Sequence, residues 1–87
     1  MNMKKYIIVF PSNIFSASAR QKLLSMNHFE LYPNVFFVKC IYQEAKDLYS
    51  FLQIAEDTNE NMVVQEVSNS NYWGYASKEL WAWLKSE

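Results

Sequence analysis

Few residues in this chain have the types and spacing that catalysis requires. His28 is the single histidine and Cys40 the single cysteine, whereas a catalytic base or a metal site needs partners at ligand spacing. Cys40 ends an apolar run, where a buried structural thiol is the ordinary outcome. The two aspartates, Asp47 and Asp57, pair with no second carboxylate of the kind that a metal site requires. We therefore predict no catalytic residue, no metal and no cofactor.

Two motifs that mark common enzyme classes are also missing from the sequence. The chain has one glycine, so it cannot form the glycine-rich loop that binds phosphate groups. It also contains no Gly-x-Ser-x-Gly motif, which places the nucleophile in many hydrolases. The sequence therefore favours binding over catalysis.

Aromatic residues in β-like segments offer one candidate binding chemistry. Tyr6, Phe36 and Phe37 lie in such segments, and some single-stranded RNA binders stack bases on aromatic residues of a four-stranded sheet. The sequence motif that carries these aromatic residues in such RNA binders also contains glycines and a basic residue, which are absent here. The formal net charge is −1, whereas phosphate binding needs lysine and arginine. Nucleic-acid binding is thus an alternative that requires five basic residues to cluster: Lys4, Lys5, Arg20, Lys22 and Lys39.

The order of the apolar segments predicts the fold that would position these residues. Residues 5–10, 29–32, 35–40 and 62–67 are rich in β-forming residues. A helical pattern follows the first segment, with Ala19, Leu23 and Met26 on one stripe, and a second follows the third segment. The resulting order β-α-β-β-α-β predicts an α+β, ferredoxin-like two-layer sandwich. Residues 1–87 would form a single domain.

Local signals set the expected boundaries of these elements. Ser16 or Ser18 is expected to cap the first helix, and Pro33-Asn34 predicts a turn between the second and third strands. The second helix has the apolar stripe Ala45, Leu48, Tyr49, Leu52 and Ala55. From Ser77 onwards, a short extra C-terminal helix is predicted to place Leu80, Trp83 and Leu84 on one face and Trp81 on another.

The first and third strands are apolar on both faces, which predicts a sheet that is covered on both sides. The two long helices can cover one face only. The other face needs the C-terminal helix, a second subunit or both, and we predict a homodimer. The residues expected at a dimer or partner surface are Tyr6, Ile8, Phe36, Val38, Trp73, Tyr75 and Trp81.

Composition limits where the chain is expected to reside. Near the start, Lys4 and Lys5 precede an apolar run, as in a signal peptide. The run is short and stops before Pro11, so we predict a strand there and not a signal peptide. No stretch approaches the ~20 apolar residues of a membrane helix. A single cysteine fits a reducing compartment. We therefore predict a cytoplasmic protein that does not enter the membrane.

Three segments together resemble a family of small bacterial Cas2-like, or SinR-like, proteins. They are the first strand, the segment Val35-Phe-Phe-Val-Lys39 followed by an amphipathic helix, and a closing region. That region contains the strand 62–67, Trp73-Gly-Tyr75 and the Trp-containing helix that begins near Lys78. The resemblance covers nearly the full length and implies a ferredoxin-like fold and a homodimer.

The resemblance also implies what the chain lacks. Cas2 proteins carry an aspartate at the end of the first strand, which is linked to metal-dependent nuclease activity in some members. In this chain the end of the first strand has the sequence Phe10-Pro-Ser-Asn13, which contains no carboxylate. The leading hypothesis is a non-catalytic homodimeric interaction module in bacterial defence, in a toxin–antitoxin system or in phage counter-defence. The alternatives are nucleic-acid binding, through the sheet or a dimer groove, and a divergent metal-dependent nuclease.

Overall fold

The computed structural model describes residues 3–12, 16–52, 61–67, 74 and 78–86. They form an α+β domain with four strands and three helices among the described residues. In chain order these are β1 (Lys4–Val9), α1 (Ala17–Leu24), β2 (Asn27–Tyr32), β3 (Val35–Cys40), α2 (Ala45–Leu52), β4 (Val63–Val67) and α3 (Lys78–Lys85). None of the described helices is long and apolar enough to cross a membrane.

The four strands form one antiparallel sheet in the order β2-β3-β1-β4. The two apolar strands β1 and β3 occupy the centre, as their continuous apolar sequences predict. Strand β4, which contains Gln65 and Glu66, lies at an edge, as its mixed character suggests. Because β3 is antiparallel to both β1 and β2, these two strands, which α1 joins, run in the same direction. The same holds for β3 and β4, which are joined through α2.

Helix α1 begins where a serine satisfies its free backbone amides. Ser16 has extended backbone angles, and its Oγ accepts a hydrogen bond from the amide of Ala19 at 3.0 Å. This contact is the standard N-cap interaction. Of the two serines that the sequence offers, Ser16 is therefore the cap, while Ser18 lies inside the helix.

The cap gives a first prediction. We expect Ser16→Ala to lower the free energy of unfolding by about 1 kcal/mol, because an amide of the first turn loses its acceptor. Urea unfolding measures the change, and Ser18→Ala is the matched control, since Ser18 makes no cap contact in this structure. An equal loss of stability in both variants would contradict the assignment of the cap.

The β2–β3 hairpin turns at Pro33-Asn34, as predicted. No described residue other than glycine has a positive φ angle, so the turn does not use the left-handed conformation that asparagine tolerates. Asn34 instead holds the end of β1. Its Nδ2 donates to the carbonyl oxygen of Phe10 at 3.0 Å, and its own carbonyl accepts from the amide of Phe10 at 2.9 Å.

Helices α1 and α2 cover one face of the sheet, which we call the helix face. The central side chains of this face are buried together with Leu23, Leu48 and Leu52 from the two helices. The hydroxyl of the buried Tyr6 donates to the carbonyl oxygen of Tyr42 at 2.8 Å, which satisfies its polar atom. The sheet residues of this core are Tyr6, Ile8, Phe10, Phe36, Val38 and Cys40.

Helix α3 packs on the opposite face, which we call the second face. Leu80 and Leu84 are buried there against Phe37, and Trp81 and Trp83 join the same cluster. Trp81 therefore does not reach a separate surface, contrary to the expectation from the helical periodicity. The described residues form three layers, because α3, the predicted extra helix, lies over part of the face that α1 and α2 leave open.

Candidate interaction surface

The strand register arranges the second face in three rows across the sheet. Residues that lie directly opposite each other on neighbouring strands share a face. The basic row consists of Asn27, Lys39, Lys5 and Val67. The aromatic row consists of Phe29, Phe37, Ile7 and Gln65. The apolar row consists of Tyr32, Val35, Val9 and Val63, with a β-bulge in β2 between Glu30 and Tyr32.

Helix α3 packs on the aromatic row through two leucines and an indole. The ring of Trp83 lies 6.2 Å from the ring of Phe29 and 6.5 Å from that of Phe37, both in tilted arrangements. Its Nε1 donates to Oδ1 of Asn27 at 3.2 Å. Aromatic pairs at these separations add to the stabilisation from burial. The indole is thus fixed by two rings and one polar contact.

Lys39 of the basic row holds the C-terminal end of α3. Its side chain is 3 % exposed, and its Nζ donates to the carbonyl oxygen of Trp83 at 2.6 Å and to that of Ser86 at 2.9 Å. A third contact goes to Oγ of Ser86 at 2.7 Å, and the ammonium lies 4.3 Å from the centroid of the Trp83 ring. A cation is favourable at this end of a helix, where carbonyl groups lack helical partners.

The apolar row lies beyond the part of the second face that α3 covers. Tyr32 is 58 % exposed and Val63 62 % exposed, while Val9 and Val35 are half-buried. None of the four belongs to either of the two core clusters that the described residues form. Val35, Val9 and Val63 thus present an apolar row across three neighbouring strands, and Tyr32 pairs with Val35 beyond the β-bulge. This row is the best candidate surface for a partner in the described part of the chain.

The structure places the residues predicted for a dimer surface elsewhere. Tyr6, Ile8, Phe36 and Val38 are fully buried in the helix face, so they form core and not surface. The reason is that α1 and α2 pack on this side of the sheet. Trp81 is half-buried within the cluster under α3. The other two predicted residues, at positions 73 and 75, lie outside the described residues.

The five candidate nucleic-acid contacts do not form one basic patch. Lys4 donates to the carbonyl oxygen of Gln43 at 3.1 Å and lies 3.5 Å from Glu66. Lys22 on α1 donates to the carbonyl oxygen of Phe51 on α2 at 2.8 Å. Arg20 also lies on α1, whereas Lys5 and Lys39 lie on the second face. Lys39 is buried, so it is not accessible while α3 is packed on the sheet.

Three of the four residues considered for catalysis lie in the described part of the chain. Nδ1 of the half-buried His28 donates to the carbonyl oxygen of Met26 at 2.9 Å. Burial raises the pKa of the Cys40 thiol, which disfavours the reactive thiolate. Asp47 is exposed in the first turn of α2, and Asp57 lies outside the described residues. The described part of the chain holds no group of three His, Cys, Asp or Glu side chains placed to bind a metal ion.

Sequence reasoning missed the residues that form the apolar row. Val9 and Val63 were assigned to strands, but no surface role was given to them or to Tyr32. The available signal was the pairing of the strands, which aligns these residues once the sheet order is known. Comparisons with protein families, with curated proteins and with solved structures find no match.

Proposed function

We propose that this chain is a non-catalytic interaction module that forms a homodimer through the apolar row of its second face. The observation that carries the proposal is the apolar row Tyr32, Val35, Val9 and Val63, whose two end residues are more than half exposed. A second copy brings an identical row, so two copies related by a two-fold axis can each cover the apolar surface of the other.

The topology supports a ferredoxin-like fold for this module. Two β-α-β units interleave in the order β2-β3-β1-β4, and their helices α1 and α2 contact each other on one face. The order of the apolar segments led to the expectation of such a fold, and the resemblance to Cas2-like proteins implies the same. A role in bacterial defence, in a toxin–antitoxin system or in phage counter-defence is a proposal that rests on the same resemblance.

The size of the apolar row sets the expected strength of the dimer. Strands lie about 4.8 Å apart, so a row across four strands spans roughly 14 Å. A standard stable interface buries about 800 Å² on each partner, which is more than four side chains supply. We therefore expect a dimer that forms at high protein concentration and dissociates on dilution.

A charge placed in the row tests this proposal. We expect Val63→Glu to abolish dimerisation, because each copy would then bury a carboxylate in an apolar contact. Light scattering over a range of concentrations is the measurement, and the wild-type mass should rise towards twice the chain mass. Leu24→Glu is the matched control, since Leu24 is also exposed but lies on α1. A wild-type chain that stays monomeric at every concentration would contradict the proposal.

A further inference from the structure

We propose that the basic and aromatic rows form a binding site for single-stranded nucleic acid, and that α3 occupies this site until the nucleic acid displaces it. The site lies beside the apolar row but does not include it. The inference goes beyond the proposed function and does not depend on dimerisation.

The aromatic row supplies rings on which bases can stack. Phe29 and Phe37 lie directly opposite each other on β2 and β3, and both contact the Trp83 ring. Bases stack on aromatic side chains of this kind irrespective of sequence, since every base has a π face. Without α3, two neighbouring phenyl rings would be open to a single strand.

The basic row supplies two cations close to these rings. Lys5 and Lys39 lie directly opposite each other on the second face, an arrangement that is unfavourable for like charges without an anion nearby. The row is one two-residue step, about 6.8 Å, from the aromatic row along the strands. A nucleotide that stacks its base on Phe37 can therefore place its phosphate beside the two ammonium groups.

Helix α3 fills the site with an aromatic ring and oxygen acceptors, the kinds of group that a nucleotide would also bring. The Trp83 indole supplies a planar heterocycle that lies against two phenyl rings in tilted arrangements, and its Nε1 donates to Asn27. The carbonyl oxygens of Trp83 and Ser86, with the Ser86 hydroxyl, surround the Lys39 ammonium. A phosphate would offer Lys39 a full negative charge, where the helix end offers about half a charge.

The described packing allows α3 to leave without disrupting the main core. Its buried residues Leu80 and Leu84 belong to the cluster on the second face. None of its residues belongs to the larger cluster under α1 and α2. Release of α3 thus uncovers the rows while the helix face remains packed. A release step of this kind lowers the apparent affinity of any ligand, because only the open fraction binds.

The first test uses the wild-type chain with three labelled probes: a 12-nucleotide oligouridylate, a 12-nucleotide oligothymidylate and a 12-base-pair duplex. We expect fluorescence anisotropy to show that one or both single strands bind, and that the duplex does not. Contact with two phosphates predicts about a sevenfold loss of affinity between 50 and 200 mM salt. Binding of the RNA strand alone, the DNA strand alone or both supports the site, and the result shows which nucleic acid the site accepts. No binding at low salt, or equal binding of the duplex, would overturn it.

Amide hydrogen exchange on the same samples locates the binding. The oligonucleotide should accelerate exchange in α3, because the helix leaves the sheet, and should not accelerate exchange in α1 or α2. Exchange in α3 that stays unchanged or slows in the presence of bound oligonucleotide would overturn the proposal, since the strand would then bind elsewhere.

A variant that releases α3 gives an independent readout. We expect Leu84→Asp to raise oligonucleotide affinity at least tenfold, and Phe29→Ala in the same chain to remove that gain. Leu24→Asp is the control on α1 and should change nothing. Circular dichroism shows whether the sheet of the variant is still folded. If it is not, the hydrogen-exchange experiment on the wild-type chain decides whether α3 leaves the sheet. A folded Leu84→Asp variant without a gain in affinity would overturn the proposal, whatever the result for the homodimer.

Discussion

Replacement of Lys39 by glutamate should detach α3 and lower the free energy of unfolding by about 3 kcal/mol. The substitution removes the ammonium that binds Trp83 and Ser86 and places a carboxylate against their carbonyl oxygens. It also buries a negative charge at the negative end of a helix. Urea unfolding measures the stability, and a red shift of tryptophan fluorescence reports the exposure of the indoles in α3.

Two further variants separate charge from packing at this position. Lys46→Glu makes the same charge change at an exposed site on α2, and we expect it to alter stability by less than about 0.5 kcal/mol. Lys39→Met retains the length of the side chain and leaves no buried charge, so it should cost less than Lys39→Glu. If Lys39→Glu is as stable as Lys46→Glu and its fluorescence is unchanged, Lys39 does not anchor α3.

Phe36→Ala is expected to cost roughly 3 to 5 kcal/mol, which is the usual loss for a buried phenylalanine. Phe36 is fully buried, and its ring meets the ring of Phe10 edge to face at 6.3 Å. A loss of this size is a large part of the stability of so small a domain. Thermal unfolding followed by circular dichroism measures it.

The result for Phe36 also decides between core and surface. Val63→Ala is the comparison, because Val63 is 62 % exposed, and we expect a change within about 0.5 kcal/mol. If Phe36 lay at a dimer surface, as the sequence suggested, its replacement would dissociate the dimer and leave the folded monomer stable. That outcome would contradict the packing of α1 and α2 on this face.

Much of the secondary structure could be predicted because local signals agreed with the tertiary arrangement. Strand β3 has the predicted bounds, and the hairpin turn lies at Pro33-Asn34. Strand β2 begins at Asn27, two residues before the predicted start, because Asn27 and His28 pair with Lys39 and Val38 of β3. Pairing with β3 thus extends β2 into two residues that are themselves polar.

The side of the sheet that the helices cover could not be predicted from the sequence. Ile7 and Val9 are as apolar as Ile8, so the alternation in β1 gives no preference between the faces. The structure buries Ile8 under α1 and α2 and leaves Ile7 half-buried on the second face. The assignment of Phe36 and Val38 to a partner surface followed from this ambiguity.

The role of Lys39 was also beyond sequence reasoning. A lysine in a strand is ordinarily exposed, and its burial here depends on a helix end that is distant in the chain. The contacts to Trp83 and Ser86 span more than forty residues. Such a contact becomes visible only when the packing of α3 on the sheet is known.

Covalent footprinting of surface side chains tests most directly whether the apolar row is the contact surface of the homodimer. We predict that labelling of Tyr32 and Val63 falls as the protein concentration rises, because a second copy covers them. Leu24 and Ile41, which are 50 % and 54 % exposed and lie outside the row, should be labelled equally at every concentration. Constant labelling of Tyr32 and Val63, or protection of Leu24 and Ile41 in their place, would contradict the account.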